Sequence, residues 1–294
     1  VLLLNSPVSV DLSDSANKII TNLAGPSTKT IGEVFGDLLY LCLNGISLAA
    51  DKKRLKYAYS LDVFKNNLTT KVGAIPKEKL VEPDTHEILS ALDDAKFCVD
   101  HEELRTLFEN LIASSLSSDT AEFVHPSFSN IIRRLSILDA KVIDLFAANF
   151  AYPIVEYRVI FEDNTYHIKQ TNVFLPEVGH STYKDKAASL LYLSSLGLLK
   201  VSYDSHISTA GTYNAFFETS IYHEINELYE KFKTISELTS IYKEVPQLQN
   251  NPELNVLDKL SKKVKRTDVI RGRCDLTELG FNFLRACGYS LQTK

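Results

Sequence analysis

Apolar residues in the first half of the chain recur three and four positions apart, the period of amphipathic helices. Ser13–Leu23 reads as one short helix stopped by Gly25-Pro26, and Ser27–Ala50 as a second, mostly apolar one. Within the latter, Gly32 and Gly36 have the four-residue spacing that lets two helices approach closely, while Glu33 and Asp37 interrupt it. Its apolar run is too short to span a bilayer, so a buried or partner-facing helix is expected. A third helix covers Asp51–Val72, opening on Lys52, Lys53, Arg54 and Lys56, and Ile75–Pro83, with two prolines, reads as a linker.

Two helix starts follow, Asp84-Thr85-His86-Glu87 and Asp100-His101-Glu102-Glu103, each with a capping acid and a glutamate three residues on. After the second, Leu104, Leu107, Phe108, Leu111 and Ile112 form one apolar stripe, with Asn110 as a polar neighbour. Ser136-Ile137-Leu138-Asp139 opens another helix, to about Asn149. Beyond Pro153 the period changes to two. Val155, Tyr157, Val159 and Phe161 alternate, Glu162-Asp163-Asn164-Thr165 supplies a turn, and Tyr166 and Ile168 resume, predicting a β-hairpin.

Tyr183–Leu196 predicts a helix closed by Gly197, and Leu198–Tyr203 a strand leaving it. Phe217 to about Glu244 carries apolar residues at helical spacing over its whole length. Val264–Cys274 reads as a strand or wing, and Leu276-Thr277-Glu278-Leu279-Gly280 leads into a last helix. The expected fold is therefore α+β and mainly α. A helical domain (1–135) precedes a winged-helix-like α+β domain (136–294), with an inserted β-hairpin and a long amphipathic helix, and an insertion at about 203–260.

Composition narrows the function. With 45% hydrophobic and 23% charged residues the chain is ordinary globular material, long enough at 294 residues for about two domains. Its net charge of −5 lacks the basic excess of a non-specific nucleic-acid binder. Cys42, Cys98, Cys274 and Cys287 include no CxxC pair, so neither a zinc ribbon nor a redox dithiol is signalled, and free buried thiols in a reducing cytosol are expected. The amino-terminal stretch VLLLNSPVSV has too short an apolar run and no basic region before it for a secretory signal, which predicts a cytoplasmic protein.

Candidate chemistry is sparse. His125 as base, Ser127 as nucleophile and Glu109 or Glu103 as orienter have the residue types of a hydrolytic triad. There is no G-x-S-x-G elbow, glycine-rich phosphate loop, H-E-x-x-H or paired histidine spacing, so no catalytic residue, metal site or cofactor is assigned. The bland reading has Pro126 at a first helical position, His125 at or beside the N-cap, and Val124 stapling the helix start. Asn110, His125 and Ser127 are then candidates for an interdomain joint or a ligand pocket. Lys262, Lys263, Lys265, Arg266, Arg271 and Arg273 form a basic run suited to phosphates, or equally a solvated edge strand guarded by cations. The candidate recognition helix offers only Lys184 and Lys186 as cations.

Several segments together resemble a known family. They are Gly25-Pro26 before Ile31-Gly32-Glu33, Ile75-Pro76-Lys77-Glu78, Val81-Glu82-Pro83, Glu102-Glu103-Leu104 with Leu107 to Ser114, and Val124-His125-Pro126-Ser127-Phe128. Leu135-Ser136-x-Leu138-Asp139-Ala140-Lys141 and Leu276-Thr277-x-Leu279-Gly280-x-x-Phe283-x-x-Ala286-Cys287 complete the set. The pattern resembles the Abi-alpha family of bacterial proteins named for phage abortive infection. That resemblance implies an anti-phage role exerted through regulated macromolecular binding, with no reaction to carry over. The implied partner is a protein or nucleic acid, such as a phage component, or a second copy of the chain. A winged-helix nucleic-acid-binding regulator without a defence role and a membrane-acting effector using helix 27–50 are the alternatives.

Overall fold

The computed structural model describes residues 51–246, 251–261 and 264–291. The two expected helices before Asp51, and with them the small-residue spacing and the membrane reading of 27–50, lie outside the described residues. The fold is α+β and mainly helical, with one four-stranded antiparallel sheet. No described helix is long and apolar enough to cross a membrane.

The chain divides into two compact units, Val1–Ala148 with Glu278–Lys294, and Asn149–Thr277. The division thus falls after residue 148 and again after 277, where the sequence reading placed one boundary near 135. The reason is packing: the helix after Ser136 and the last helix both lie against the central helix of the first unit.

The described part of the helical unit contains α1 (Asp51–Gly73), α2 (Thr85–Ala95), α3 (Glu102–Ser115), α4 (Phe128–Arg134) and α5 (Ile137–Ala148). Its last helix, Glu278–Ala286, is numbered α9 below. Helix α3 is the hub. Its stripe Leu104, Leu107, Phe108, Leu111 and Ile112 is buried, as helical spacing predicts, and α1, α2, α4, α5 and α9 all pack on it. Phe64, Leu68 and Val72, four residues apart on α1, supply one facing row.

The expected linker 75–83 is pinned to this core by the Val81 N–H donating to the Leu116 carbonyl (3.0 Å) and the Ser118 N–H to the Lys79 carbonyl (2.8 Å). Two caps form as their sequences predict. The Glu87 N–H donates to Asp84 Oδ1 (3.2 Å), and Ser136 and Asp139 satisfy each other's N–H groups in a closed capping box. The box expected at Asp100 does not form. Helix α3 takes His101 as N-cap with no side-chain bond, because Asp100 sits one residue too early to reach the first free N–H groups.

The second unit holds β1 (Ala151–Phe161), β2 (Tyr166–Val173), α6 (Tyr183–Ser195), β3 (Leu199–Ser202), α7 (Ser220–Lys243), α8 (Pro252–Ser261) and β4 (Val264–Leu276). Strand order is β2-β1-β4-β3. Helix α6 ends as its glycine predicts. Gly197 has φ +78°, its N–H donates to the Ser194 carbonyl, and the Leu198 N–H reaches back to Leu193 (3.1 Å), a Schellman motif. Alternation sends Val155, Tyr157 and Val159 to one sheet face, where Phe216, Tyr213 and Ile225 complete a core. Tyr157 Oη donates to the Phe216 carbonyl (2.6 Å) and lies 2.8 Å from Thr219 Oγ1, whose hydroxyl caps α7. The start of α7 is thereby fastened to β1.

Candidate functional site

His125 and Ser127 are brought together. His125 Nδ1 lies 2.8 Å from Ser127 Oγ and also accepts the Ser127 N–H (3.2 Å). A histidine and serine at this distance have the spacing of a base and nucleophile. Both contacts, however, arise within one tight turn. The Phe128 N–H donates to the His125 carbonyl (2.9 Å), and Ser127 has φ −76° and ψ −12°, the third position of a type I turn with proline in its favoured second place. This corrects the expectation that Pro126 opens the helix: α4 begins at Phe128, two residues later.

The orienting carboxylates are engaged elsewhere. Glu109 accepts from Asn67 Nδ2 (3.0 Å) and lies 3.7 Å from both Lys71 and Arg105, while Glu103 pairs with Lys141 at 3.0 Å. The crevice beside His125, lined in part by Leu111, Ile112 and Ser115, has about 20 Å³ of interior space, room for about one water. Phe128 behind it is fully buried, edge to face with Phe283 at 5.3 Å.

Asn110 does not line that crevice. It sits on α3, where its Nδ2 donates to the Cys287 carbonyl (2.7 Å) and its Oδ1 accepts from Lys71 Nζ. Cys287 is the residue before Gly288, which has φ +88° and closes α9 in a second Schellman turn: the Gly288 N–H donates to Arg285 and the Tyr289 N–H to Leu284. Asn110 therefore caps a carbonyl at the end of α9, one of the groups a helix end leaves without an intrahelical partner. Burial raises the Glu109 carboxyl above its ordinary range, against the opposing pull of Asn67, Lys71 and Arg105.

Residues 56–287 match the family described as abortive infection alpha. The chain belongs to the abortive infection alpha family. No curated protein matches it, and no solved structure does.

The family-like segments identified in the sequence hold this fold together. In the abortive infection alpha protein the V-H-P-S-F block is the turn into α4, Asn110 caps α9, and Ser136 with Asp139 starts α5. Thr277 of the closing L-T-x-L-G segment donates its hydroxyl to the Gly197 carbonyl (2.6 Å), fixing the turn between α6 and β3. The thiols follow the same logic: Cys98, Cys274 and Cys287 are free and buried, and burial pushes Cys98 up to about 11 and Cys274 to about 12. They stay protonated at neutral pH and are poor nucleophiles. Cys42 lies outside the described residues.

The basic run maps onto β4, with Lys262 and Lys263 outside the described residues. Its cations have partners within the unit. Lys265 donates to Asn164 Oδ1 (2.9 Å), Arg266 lies 3.4 Å from Asp268, Arg273 grips both oxygens of Asp275, and Arg271 lies over the Tyr213 ring at 5.5 Å. Only residues Arg273–Asp275 of β4 are flanked by a strand on both sides; up to Gly272 the strand pairs with β1 alone. On α6, Lys186 is buried and donates to the Pro176 carbonyl (2.9 Å), leaving Lys184 as that helix's exposed cation.

One feature escaped the sequence reading. A cavity of about 340 Å³ opens between α7 and the β1–β2 hairpin, with His167 and Lys169 on its β2 wall. The available signal was parity for His167, which pairs with Val159 of the core face; Lys169 is the extra residue of a bulge between the Arg158–Ile168 and Tyr157–Gln170 pairs, which alternation does not announce.

Proposed function

We propose that this cytoplasmic protein defends a bacterial cell against phage by abortive infection, through regulated binding to a protein or nucleic acid that arrests growth on infection. The observation that carries this reading is the family match across 56–287, which spans most of both units. The roles of the family-like residues agree with it, since they act as caps, turns and core contacts, and variation in binding surface then sits on a fixed scaffold. Isogenic strains with and without the gene, plated against a broad phage panel, test the proposal. Lower plating efficiency with the intact gene, accompanied by early death of infected cells, is expected. Equal plating across the panel overturns it.

The second reading is a winged-helix nucleic-acid binder. Its support is the order α6, β3, β4, with β3 antiparallel to β4 and Thr277 tying the α6–β3 turn. A salt-dependent mobility shift abolished by neutralising Lys262, Lys263, Lys265 and Arg266 favours it. The internal pairing of the described β4 cations and the burial of Lys186 leave this reading second.

A further inference from the structure

The cavity beside α7 has the composition of a ligand site. Helix α7 closes on the sheet at Ile225, which is buried, and from there on an opening remains. Val159 and Phe161 of β1, Leu228 and Phe232 of α7, and Val264 of β4 line it. At about 340 Å³ it falls in the range of small-molecule sites, whose walls are mainly apolar with a few convergent polar groups.

The polar groups here are of one kind. Its ionisable lining residues are His167, Lys169 and Tyr229, and no acidic side chain lines it among the described residues. Lys169 and His167 show no hydrogen-bond or ion-pair partner among the described residues. That contrasts with Lys265 and Arg273 on the same sheet, each of which is satisfied within the unit. A lysine on the outermost strand also blunts the sheet edge, and this role is compatible with a ligand contact.

We propose that this cavity binds an amphipathic monocarboxylate of the fatty-acid type, its alkyl chain against the α7 and β1 walls and its carboxylate on Lys169 and His167. Apolar walls alone would accept any hydrocarbon. The cationic wall selects a ligand with one anionic end, because a carboxylate there gains a charge-assisted hydrogen bond that a neutral or cationic head group does not. The inference stands apart from the defence role, and its test needs no phage.

The test is titration calorimetry of the full chain with laurate below its micelle concentration, beside dodecylammonium of equal chain length. Saturable 1:1 laurate binding is expected, with dodecylammonium at least about threefold weaker, as exchanging attraction for repulsion at an exposed cation implies. Lys169→Glu should weaken laurate by a similar factor, and Lys169→Arg should retain it. Leu228→Glu, at a position 41% exposed and so tolerant of a polar side chain, should weaken it too. Absence of laurate binding overturns the proposal. So does equal affinity for the two head groups, or indifference to both glutamate variants. If the chain sediments as a dimer that Leu228→Glu dissociates, and laurate does not bind, the face belongs to a second copy and the proposal is likewise overturned.

Discussion

Glu109 lies buried in its unit and Lys169 stands exposed at the rim of a cavity in its own, and they meet opposite surroundings. Glu109 is fully enclosed on α3, with Asn67, Lys71 and Arg105 around it, and its neighbour Asn110 is bound to Lys71 and the end of α9. Lys169 lines a mainly apolar cavity that has no carboxylate on its lining among the described residues. The helical unit thus uses the Glu109 cluster to fix how helices meet, whereas Lys169 takes no part in holding the sheet unit together among the described residues. A buried ion cluster is poor evidence of net stabilisation, yet removing one member is costly because it strands the others.

The largest expected effect comes from breaking that cluster. Glu109→Ala removes the acceptor of Asn67 and the counter-charge of Lys71 and Arg105 at a buried site. A loss of about 3 kcal/mol in urea unfolding followed by circular dichroism is expected. A loss under about 1 kcal/mol would show that the cluster specifies nothing, and the contrast with Lys169 would collapse.

Next in size is Gly288→Ala, expected to cost about 2 kcal/mol. Two causes add here. The backbone has φ +88°, and a Cβ would stand 2.9 Å from Asn110 Cγ. Asn110→Ala separates them: alone it should cost about 1 kcal/mol through the lost bond to the Cys287 carbonyl. Combined with Gly288→Ala it should relieve the clash and leave the backbone strain. The double-variant cycle should therefore show a coupling of at least about 0.5 kcal/mol.

A smaller effect distinguishes the charge of Glu109 from its shape. Burial raises its folded-state pKa above that of the unfolded chain. Between those two values the folded protein binds more protons, so stability is greatest below the unfolded carboxyl value and falls as pH rises through the folded one. Glu109→Gln keeps the shape and removes the titration. Unfolding free energies measured from acid to neutral pH should lose that segment of the slope, and an unchanged profile would mean that Glu109 does not titrate differently on folding.

How much of this was legible follows from how local each device is. Gly197, Asp84 with Glu87, and Ser136 with Asp139 act within one helical turn, and their sequences announced them. Asp100-x-x-Glu103 has the same letters and failed, because a capping pattern does not say which residue starts the helix, and Glu103 was taken by Lys141 instead. Asn110 stood out as a polar residue beside an apolar stripe, yet its partner is the Cys287 carbonyl, 177 positions away. The hairpin was plain from its alternation. The meaning of His167 and Lys169 was not, since parity names a face only when it is known which face α7 covers.

The smallest expected effect completes the comparison. Lys169→Ala should change stability by less than about 0.5 kcal/mol, because the side chain is exposed and leaves no partner behind among the described residues. It is also the variant in which stability and binding should part most clearly: nearly unchanged unfolding with weakened laurate binding marks a residue kept for a ligand. If instead Lys169→Ala unfolds as readily as Glu109→Ala, the lysine is a structural member of the hairpin. The two charges would then play the same part in both units.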